Sequence, residues 1–193
     1  QRQMPLPSSF TWDGRDDAGA LVPDGTYTFR LAARDDNGNA AQTAPLEVVI
    51  DNTPPSAQVA AEYLVFSPNG DGNKDQLPLS QTGSVEDLWA GSILDASGTT
   101  VREWRWESSA PEAFSWDGLT DDGVLAPDGV YAYRLTSTDR AGNVHTTDLA
   151  GIEINTRPTP VGLSIDKAFF SPNGDGEKDT VVVALEVPVT SGI

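Results

Sequence analysis

The sequence contains no cysteine, and only one histidine and one methionine occur among its 193 residues. The absence of cysteine excludes disulfide bonds, thiol nucleophiles and cysteine-based zinc sites. Basic residues are scarce, with 12 Lys and Arg against 29 Asp and Glu, and the formal net charge is −17. A surface this acidic repels nucleic-acid phosphates and anionic membranes, whereas divalent cations are its natural counter-ions. Nucleic acid is therefore not an expected partner.

Long apolar runs are missing as well. No stretch reaches the roughly 18 apolar residues of a membrane-spanning helix, so insertion into a membrane is not expected. Helix breakers are abundant instead, with 18 Gly and 14 Pro, while 38% of the residues are hydrophobic. This composition predicts many short elements that are joined by turns around a real core, and it argues against long helices.

The sequence repeats itself with a period of 104 residues. Four blocks that begin at Phe10, Pro23, Asp35 and Phe66 recur, without any gap, from 114, 127, 139 and 170. The period is too long for a solenoid unit and has the size of a whole domain. The sequence therefore predicts a tandem array of similar domains.

Proline-rich stretches mark the predicted domain boundaries. Residues 50–55 and 154–160 occupy equivalent places in the repeat, and both follow an apolar run. Because proline fixes φ and favours an extended residue before it, both stretches are predicted to be short, stiff linkers. We expect the C-terminal part of one domain at residues 1–53, a complete domain at 54–157 and the N-terminal part of the next at 158–193.

Alternating side chains predict β-strands. Tyr27, Phe29 and Leu31 fall on one face of a strand, and the copy at 130–135 has the same pattern. Asp-Gly and Ser-Gly pairs between such runs supply the positive-φ positions of tight turns. Short strands with frequent turns in a unit of about 100 residues predict an all-β fold, a tandem array of immunoglobulin-like β-sandwiches.

The blocks at 66–75, 114–118 and 127–131 together carry a family resemblance. They read FSPNGDGNKD, FSWDG and PDGVY, and they resemble the immunoglobulin-like domain of flagellar hook-cap (FlgD-type) proteins. The first block is also similar to gliding-motility-associated C-terminal domains, and 139–143 resembles the D-x-A-G-N segment of bacterial adhesin repeats. The resemblance implies the sandwich fold and a spacer or display role.

The most specific chemical motif is an acidic, glycine-rich loop that occurs twice. Side-chain oxygens stand at every second position, as in loops that bind Ca²⁺. The candidate ligands are Asn69, Asp71, Asn73, Asp75, Asn173, Asp175, Glu177 and Asp179. The twelfth position of the loop, where an EF-hand has a bidentate Glu, is Ser80. An equally open alternative is an Asx-rich turn whose oxygens accept backbone N–H groups.

Four tryptophans are candidates for a ligand or partner surface. Trp104 and Trp106 share one strand face with Arg102, while Trp12 and Trp116 precede acidic loops. These aromatic side chains could stack on a sugar or a partner protein. The alternative is core packing, with Arg102 stacked on an indole in a cation–π contact.

The inventory of side chains argues against an enzyme. His145 is the only histidine, and the equivalent residue of the other copy is Ala41. We expect a structural segment of a long bacterial cell-surface or extracellular protein (a stalk, sheath, filament or adhesin shaft), stiffened by Ca²⁺. The expected partners are neighbouring repeats or identical chains. Alternatives are a module that binds a surface glycan or protein, and an assembly scaffold like the hook cap.

Overall fold

The computed structural model describes residues 9–187, and these residues form strands joined by turns, without a helix. The chain divides into two compact units, Gln1–Ile154 and Asn155–Ile193. Within the described residues no helix is long and apolar enough to cross a membrane. The ends of the two predicted partial domains, 1–8 and 188–193, lie outside the described residues. The predicted boundaries at 53/54 and 157/158 stay predictions.

The centre of the first unit is a sandwich of two sheets. Its strands are β5 (Ala57–Ala61), β6 (Val65–Phe66), β7 (Leu77–Gly83), β8 (Glu86–Leu94), β9 (Thr100–Ser109), β10 (Phe114–Trp116), β11 (Gly129–Thr138) and β12 (Val144–Ile154). One sheet has the strand order β10-β7-β5, and the other has the order β6-β12-β11-β8-β9. All neighbours pair antiparallel except β6 and β12, which are parallel. The prediction of an all-β sandwich is confirmed.

The core lies between these two sheets. Alternate residues of β7 and β11 are buried while the residues between them are more exposed, as expected for strands with one face inward. The largest fully buried side chains are Trp89, Trp116, Tyr133, Phe66, Leu77, Leu79, Ile93, Leu135, Ile152 and Ile154. Four of these ten are aromatic, so large rings and branched aliphatic side chains share the space between the sheets.

A glycine makes room for two aromatic rings, those of Tyr133 and Trp106. Gly91 on β8 lies opposite Trp104 on β9, and a Cβ atom at Gly91 would collide with the phenol of Tyr133 and lie 2.9 Å from the Trp106 ring. The missing side chain therefore lets both rings pack against the backbone of β8.

The strands before the linker repeat part of this architecture. They are β1 (Gly25–Phe29), β2 (Ala32–Arg34), β3 (Ala40–Gln42) and β4 (Leu46–Ile50). β1 pairs with β4 from Gly25↔Ile50, and the equivalent pair Gly129↔Ile154 joins β11 to β12. The core face differs, because Leu31 is 70% exposed whereas its counterpart Leu135 is fully buried. Residues 9–50 thus present half of a core that no described part of the first unit covers.

The second unit contains the corresponding strands of the next copy. β13 (Gly162–Ile165) pairs antiparallel with β14 (Val183–Glu186), in the register of β5 with β7. Phe170 is 49% exposed within the described structure, whereas its counterpart Phe66 is 2% exposed. The same local sequence therefore builds the same hairpin, although its apolar face is not covered.

Candidate functional site

The acidic loop at residues 69–75 is held together by its own side chains. Asp75 lies at its end, and its two carboxylate oxygens accept the backbone N–H groups of Gly70 (2.7 Å) and Gly72 (2.8 Å). These hydrogen bonds favour the ionised form and hold the pKa of Asp75 below its usual value. Gly70 and Gly72 have φ values of 81° and 86°, so the glycines permit the curvature that brings both N–H groups to one carboxylate.

The side chains of Asn69 and Asp71, two of the other predicted ligands of this loop, are bonded in the same way. The side-chain oxygen of Asn69 accepts the N–H of Asp71 (3.0 Å), and an Asp71 oxygen accepts the N–H of Asn73 (2.8 Å). The Asn69 amide also donates to the second Asp71 oxygen at 3.2 Å. The loop is therefore a series of Asx turns, the alternative that its sequence left open.

The copy at residues 173–179 has the same geometry. Asp179 accepts the N–H groups of Gly174 (2.9 Å) and Gly176 (2.8 Å), and Asp175 accepts the N–H of Glu177 (2.8 Å). Asn173 bonds Asp175 as Asn69 bonds Asp71. Two copies with different surroundings thus adopt one hydrogen-bonded loop, so the local sequence is sufficient to specify it.

Neither loop gathers its carboxylates into a cage. Among residues 9–187 no group of three or more His, Asp or Glu side chains converges as metal ligands would. The oxygens of Asn69, Asp71 and Asp75 are engaged by loop donors, whereas Ca²⁺ takes six to eight oxygens. The hydrogen bonds are those of a turn, and Ca²⁺ binding by these loops stays a prediction.

The prediction that Trp116 contributes to a partner surface is wrong. Its side chain is fully buried, with its ring centroid 5.4 Å from those of Phe66 and Tyr131. Its indole N–H donates to the carbonyl of Leu119 at 2.9 Å. A ring enclosed in this way cannot touch a ligand unless the sandwich opens.

Trp12, the counterpart of Trp116, makes the same local contacts but stays half-exposed. Its indole N–H donates to the carbonyl of Arg15 (2.7 Å), and its ring packs edge-on against Tyr27 and Phe29. The exposure of Trp12 reflects the uncovered half-core around it.

Trp104 and Trp106 line the sandwich from β9. Their ring centroids lie 4.4 Å and 5.8 Å from that of Phe114, and both side chains are half-buried. The Arg102 guanidinium lies over the Trp104 ring at 5.5 Å. The contacts are those of core packing plus an arginine stacked on an indole, while the exposed part of each ring remains open to a partner.

Two further loops share the D-x-x-G-N sequence. In the loop that ends at Asn143, one oxygen of Asp139 accepts the N–H groups of Ala141 and Asn143, and the other accepts the Asn143 amide at 2.7 Å. Asp35 holds Asn39 through the same set of bonds. The bonds lower the pKa of both aspartates, because each stabilises the ionised carboxylate.

Sequence reasoning missed a buried polar pair of the core. The Tyr133 hydroxyl donates to the Gln81 side-chain oxygen at 2.9 Å, and the Gln81 amide donates to the carbonyl of Glu112. Both residues are buried, and burial raises the pKa of Tyr133. Gln81 and Tyr133 come from different sheets and are far apart in sequence, so no local sequence pattern predicts their hydrogen bond.

Comparison with known proteins gives a family match over more than half of the chain. The profile described as FlgD Ig-like domain matches residues 7–37 and 70–141. A rat protein, the dyslexia-associated protein KIAA0319 homolog (Rattus norvegicus), is 29% identical over 94% of this chain and 16% of its own length. The C5a peptidase of Streptococcus pyogenes is 36% identical over 50% of this chain and 10% of its own. The chain thus spans a sixth or less of these relatives.

A solved structure is also similar. It is a tetra-tandem repeat in the extending region of a large adhesion protein, with a TM-score of 0.44 and 19% identity, over 86% of this chain and 46% of that one.

Proposed function

The chain belongs to the FlgD Ig-like domain family, and from this we propose that it is a structural repeat segment of a long bacterial cell-surface or extracellular protein. Its role is to space or display other parts of that protein, as a stalk, sheath, filament or adhesin shaft. Its 104-residue period, its proline linkers and its charge of −17 support this role.

The observation that carries the proposal is where the chain enters and leaves the central sandwich. Asn143, which directly precedes β12, contacts Asp51 of the linker before the sandwich, whereas Ile154 ends β12. β12 has 11 residues, and at about 3.3 Å per residue it spans about 35 Å. The chain therefore enters and leaves this sandwich at opposite ends, which supports a spacer role.

Small-angle X-ray scattering on chains with one, two and three copies of the repeat tests this proposal. The maximum dimension should rise by about 35 Å or somewhat more for each added repeat, because each sandwich adds its own long axis. Arrays whose maximum dimension barely grows, so that the repeats fold back on each other, would contradict a spacer role.

We propose no catalytic activity for this segment. His145 packs against the buried Trp89 with its ring centroid 6.0 Å away, and its counterpart is Ala41, so the repeat does not preserve it. The peptidase activity in the name of the streptococcal relative belongs to that protein, of which this chain matches a tenth.

The proposed partners are neighbouring repeats or identical chains. Stiffening by Ca²⁺ stays a prediction, and titration of Ca²⁺ into the chain by calorimetry checks it, with Asp71→Ala as the variant that should lose any heat from the loop. The alternative is a module that binds a glycan or a protein. Saturable binding of the chain to a surface ligand would indicate it, provided that Trp106→Ala abolishes the binding without unfolding the chain.

A further inference from the structure

The linker between the first two repeats, residues 51–56, is bonded to the repeat that precedes it. Asp24 lies just before β1, and one of its carboxylate oxygens accepts both the backbone N–H and the side-chain amide of Asn52, each at 2.8 Å. The other oxygen accepts the Thr53 hydroxyl at 2.6 Å. These are three hydrogen bonds to an ionised group, the stronger kind in proteins.

The same linker is also bonded to the sandwich that follows it. The Asn143 amide donates to the carbonyl of Asp51 at 3.0 Å. Pro55 is buried, and Ser56 exchanges hydrogen bonds with Ser84 at the end of β7: its N–H donates to the Ser84 hydroxyl, and its carbonyl accepts the Ser84 N–H. A linker that is anchored on both sides has few free dihedral angles between its anchors.

The Asn143 side chain is held in place for this contact by its own loop. Asp139 accepts one donor of the Asn143 amide and so orients the other toward the linker. Asn39, its counterpart, has the same bonds to Asp35, and within residues 9–187 its amide makes no further hydrogen bond. The loop is therefore complete without the linker contact, and the second donor of the Asn143 amide is left for the linker.

We propose that Asp24 and Asn143 form a two-sided latch on residues 51–56, which fixes the orientation of one repeat against the next. The partner of each repeat is thus a neighbouring copy of the same repeat, which it contacts at the linker. Asp24 fastens the linker to the repeat behind it, and Asn143 fastens it to the sandwich ahead. This inference rests on the proposed function, since a fixed orientation is what a stiff spacer requires.

Distances between spin labels test the latch on the full chain. The chain has no cysteine, so labels attach only at the two cysteines introduced by Thr28→Cys on β1 and Glu107→Cys on β9, both at exposed positions. The background chain should give a single narrow distance distribution. Asn143→Ala and Asp24→Ala should each broaden it to about twice that width, because the linker then samples more conformations.

Asn39→Ala is the matched control. It removes the same bonds to an aspartate in the same kind of loop, but no contact with the linker. Its distribution should stay as narrow as that of the background chain. Asp24→Ala changes an exposed side chain outside the central sandwich. If Asn143→Ala fails to fold, the width of the distribution in Asp24→Ala tests the latch in its place.

A broad distribution in the background chain, or equal widths in Asn143→Ala and Asn39→Ala, would overturn the latch. Either result can coexist with a maximum dimension that grows with repeat number. Failure of the latch is therefore distinguishable from failure of the spacer role.

Discussion

Single aspartates hold several loops of this chain in shape, because their carboxylates accept hydrogen bonds from nearby donors. Asp75, Asp139 and their counterparts close loops whose glycines adopt positive φ values. The sequence made these loops recognisable, because all the donors and acceptors lie within five residues of one another. The spacing of the oxygens does not distinguish a cation from backbone N–H groups as their partners, because both require oxygens with the same spacing.

The melting temperature should depend on pH through these carboxylates. Hydrogen bonds from nearby donors lower the pKa of Asp24, Asp35, Asp75, Asp95 and Asp139. A folded-state pKa below the unfolded value means stability that is present above the ordinary pKa, near 3.8, and is lost as the pH falls through the lowered value. Between pH 7 and about 4.5 the melting temperature should hold or rise, since self-repulsion of the net charge decreases.

Circular dichroism melts from pH 7 to pH 2 check this prediction. We expect a steep fall in melting temperature below about pH 4. A melting temperature that keeps rising down to pH 2 would show that charge repulsion outweighs the carboxylate hydrogen bonds.

Removal of the Tyr133 hydroxyl should destabilise the central sandwich. In Tyr133→Phe the buried oxygen of Gln81 loses its donor, and an unsatisfied buried acceptor costs about 1–3 kcal/mol of unfolding free energy. Tyr27→Phe is the control, because that hydroxyl bonds the carbonyl of Pro23 at an exposed site. Urea denaturation of both variants measures the difference, and equal midpoints would show that water satisfies Gln81 in the variant.

At the scale of elements, the alternating pattern located some of the strands. The run at 130–135 lies within β11, and Tyr27 and Phe29 lie in β1, which ends before Leu31. Pairing partners of distant strands were not predictable, because the pattern of one strand does not specify its neighbour in a sheet. The burial of Trp116 is the clearest case: it follows from Phe66 and Tyr131, which lie 50 and 15 residues away, and not from its own surroundings in the sequence.

The packing of β8 against β9 should not tolerate a methyl group at Gly91. In Gly91→Ala the new Cβ would overlap the Tyr133 phenol and crowd the Trp106 ring, and overpacking of this kind costs about 1–3 kcal/mol. Gly129→Ala is the control, because its Cβ would meet no atom closer than 4.0 Å. Thermal melts of the two variants should differ by several degrees, and identical melts would mean that the Tyr133 and Trp106 rings move aside at little cost.

At the scale of the whole molecule, the repeat predicts the order of the strands but not whether other strands cover their apolar faces. The pairs β1–β4 and β13–β14 reproduce the registers of the central sandwich, yet their apolar faces are open in the described structure. Local sequence specifies a hairpin, while burial depends on strands that another part of the repeat must provide. The sequence period therefore carries information on secondary structure and register, whereas closure of the core depends on contacts between distant strands.

Hydrogen exchange on the intact chain should show this difference. Amides of β7, β8, β11 and β12 should exchange slowest, because they belong to strands that pack on the closed core. Amides of β2–β3 and β13–β14 should exchange faster by orders of magnitude, since their opening exposes little additional apolar surface. Uniform protection would contradict this, and protection of the outer pairs only at high protein concentration would reveal association between chains through the open half-cores.

The parallel pairing of β6 with β12 has a consequence for a protein that is pulled from both ends. Val65 and Phe66 belong to the first part of the sandwich after its linker, and they pair with Glu153 and Ile154 at its exit. The N–H of Glu153 also donates to the carbonyl of Leu64 at 2.8 Å. When the two ends are drawn apart, β6 and β12 slide along each other in opposite directions. Tension then loads their hydrogen bonds together in shear and does not peel them apart one by one, so the sandwich should withstand loads that would unzip a terminal hairpin.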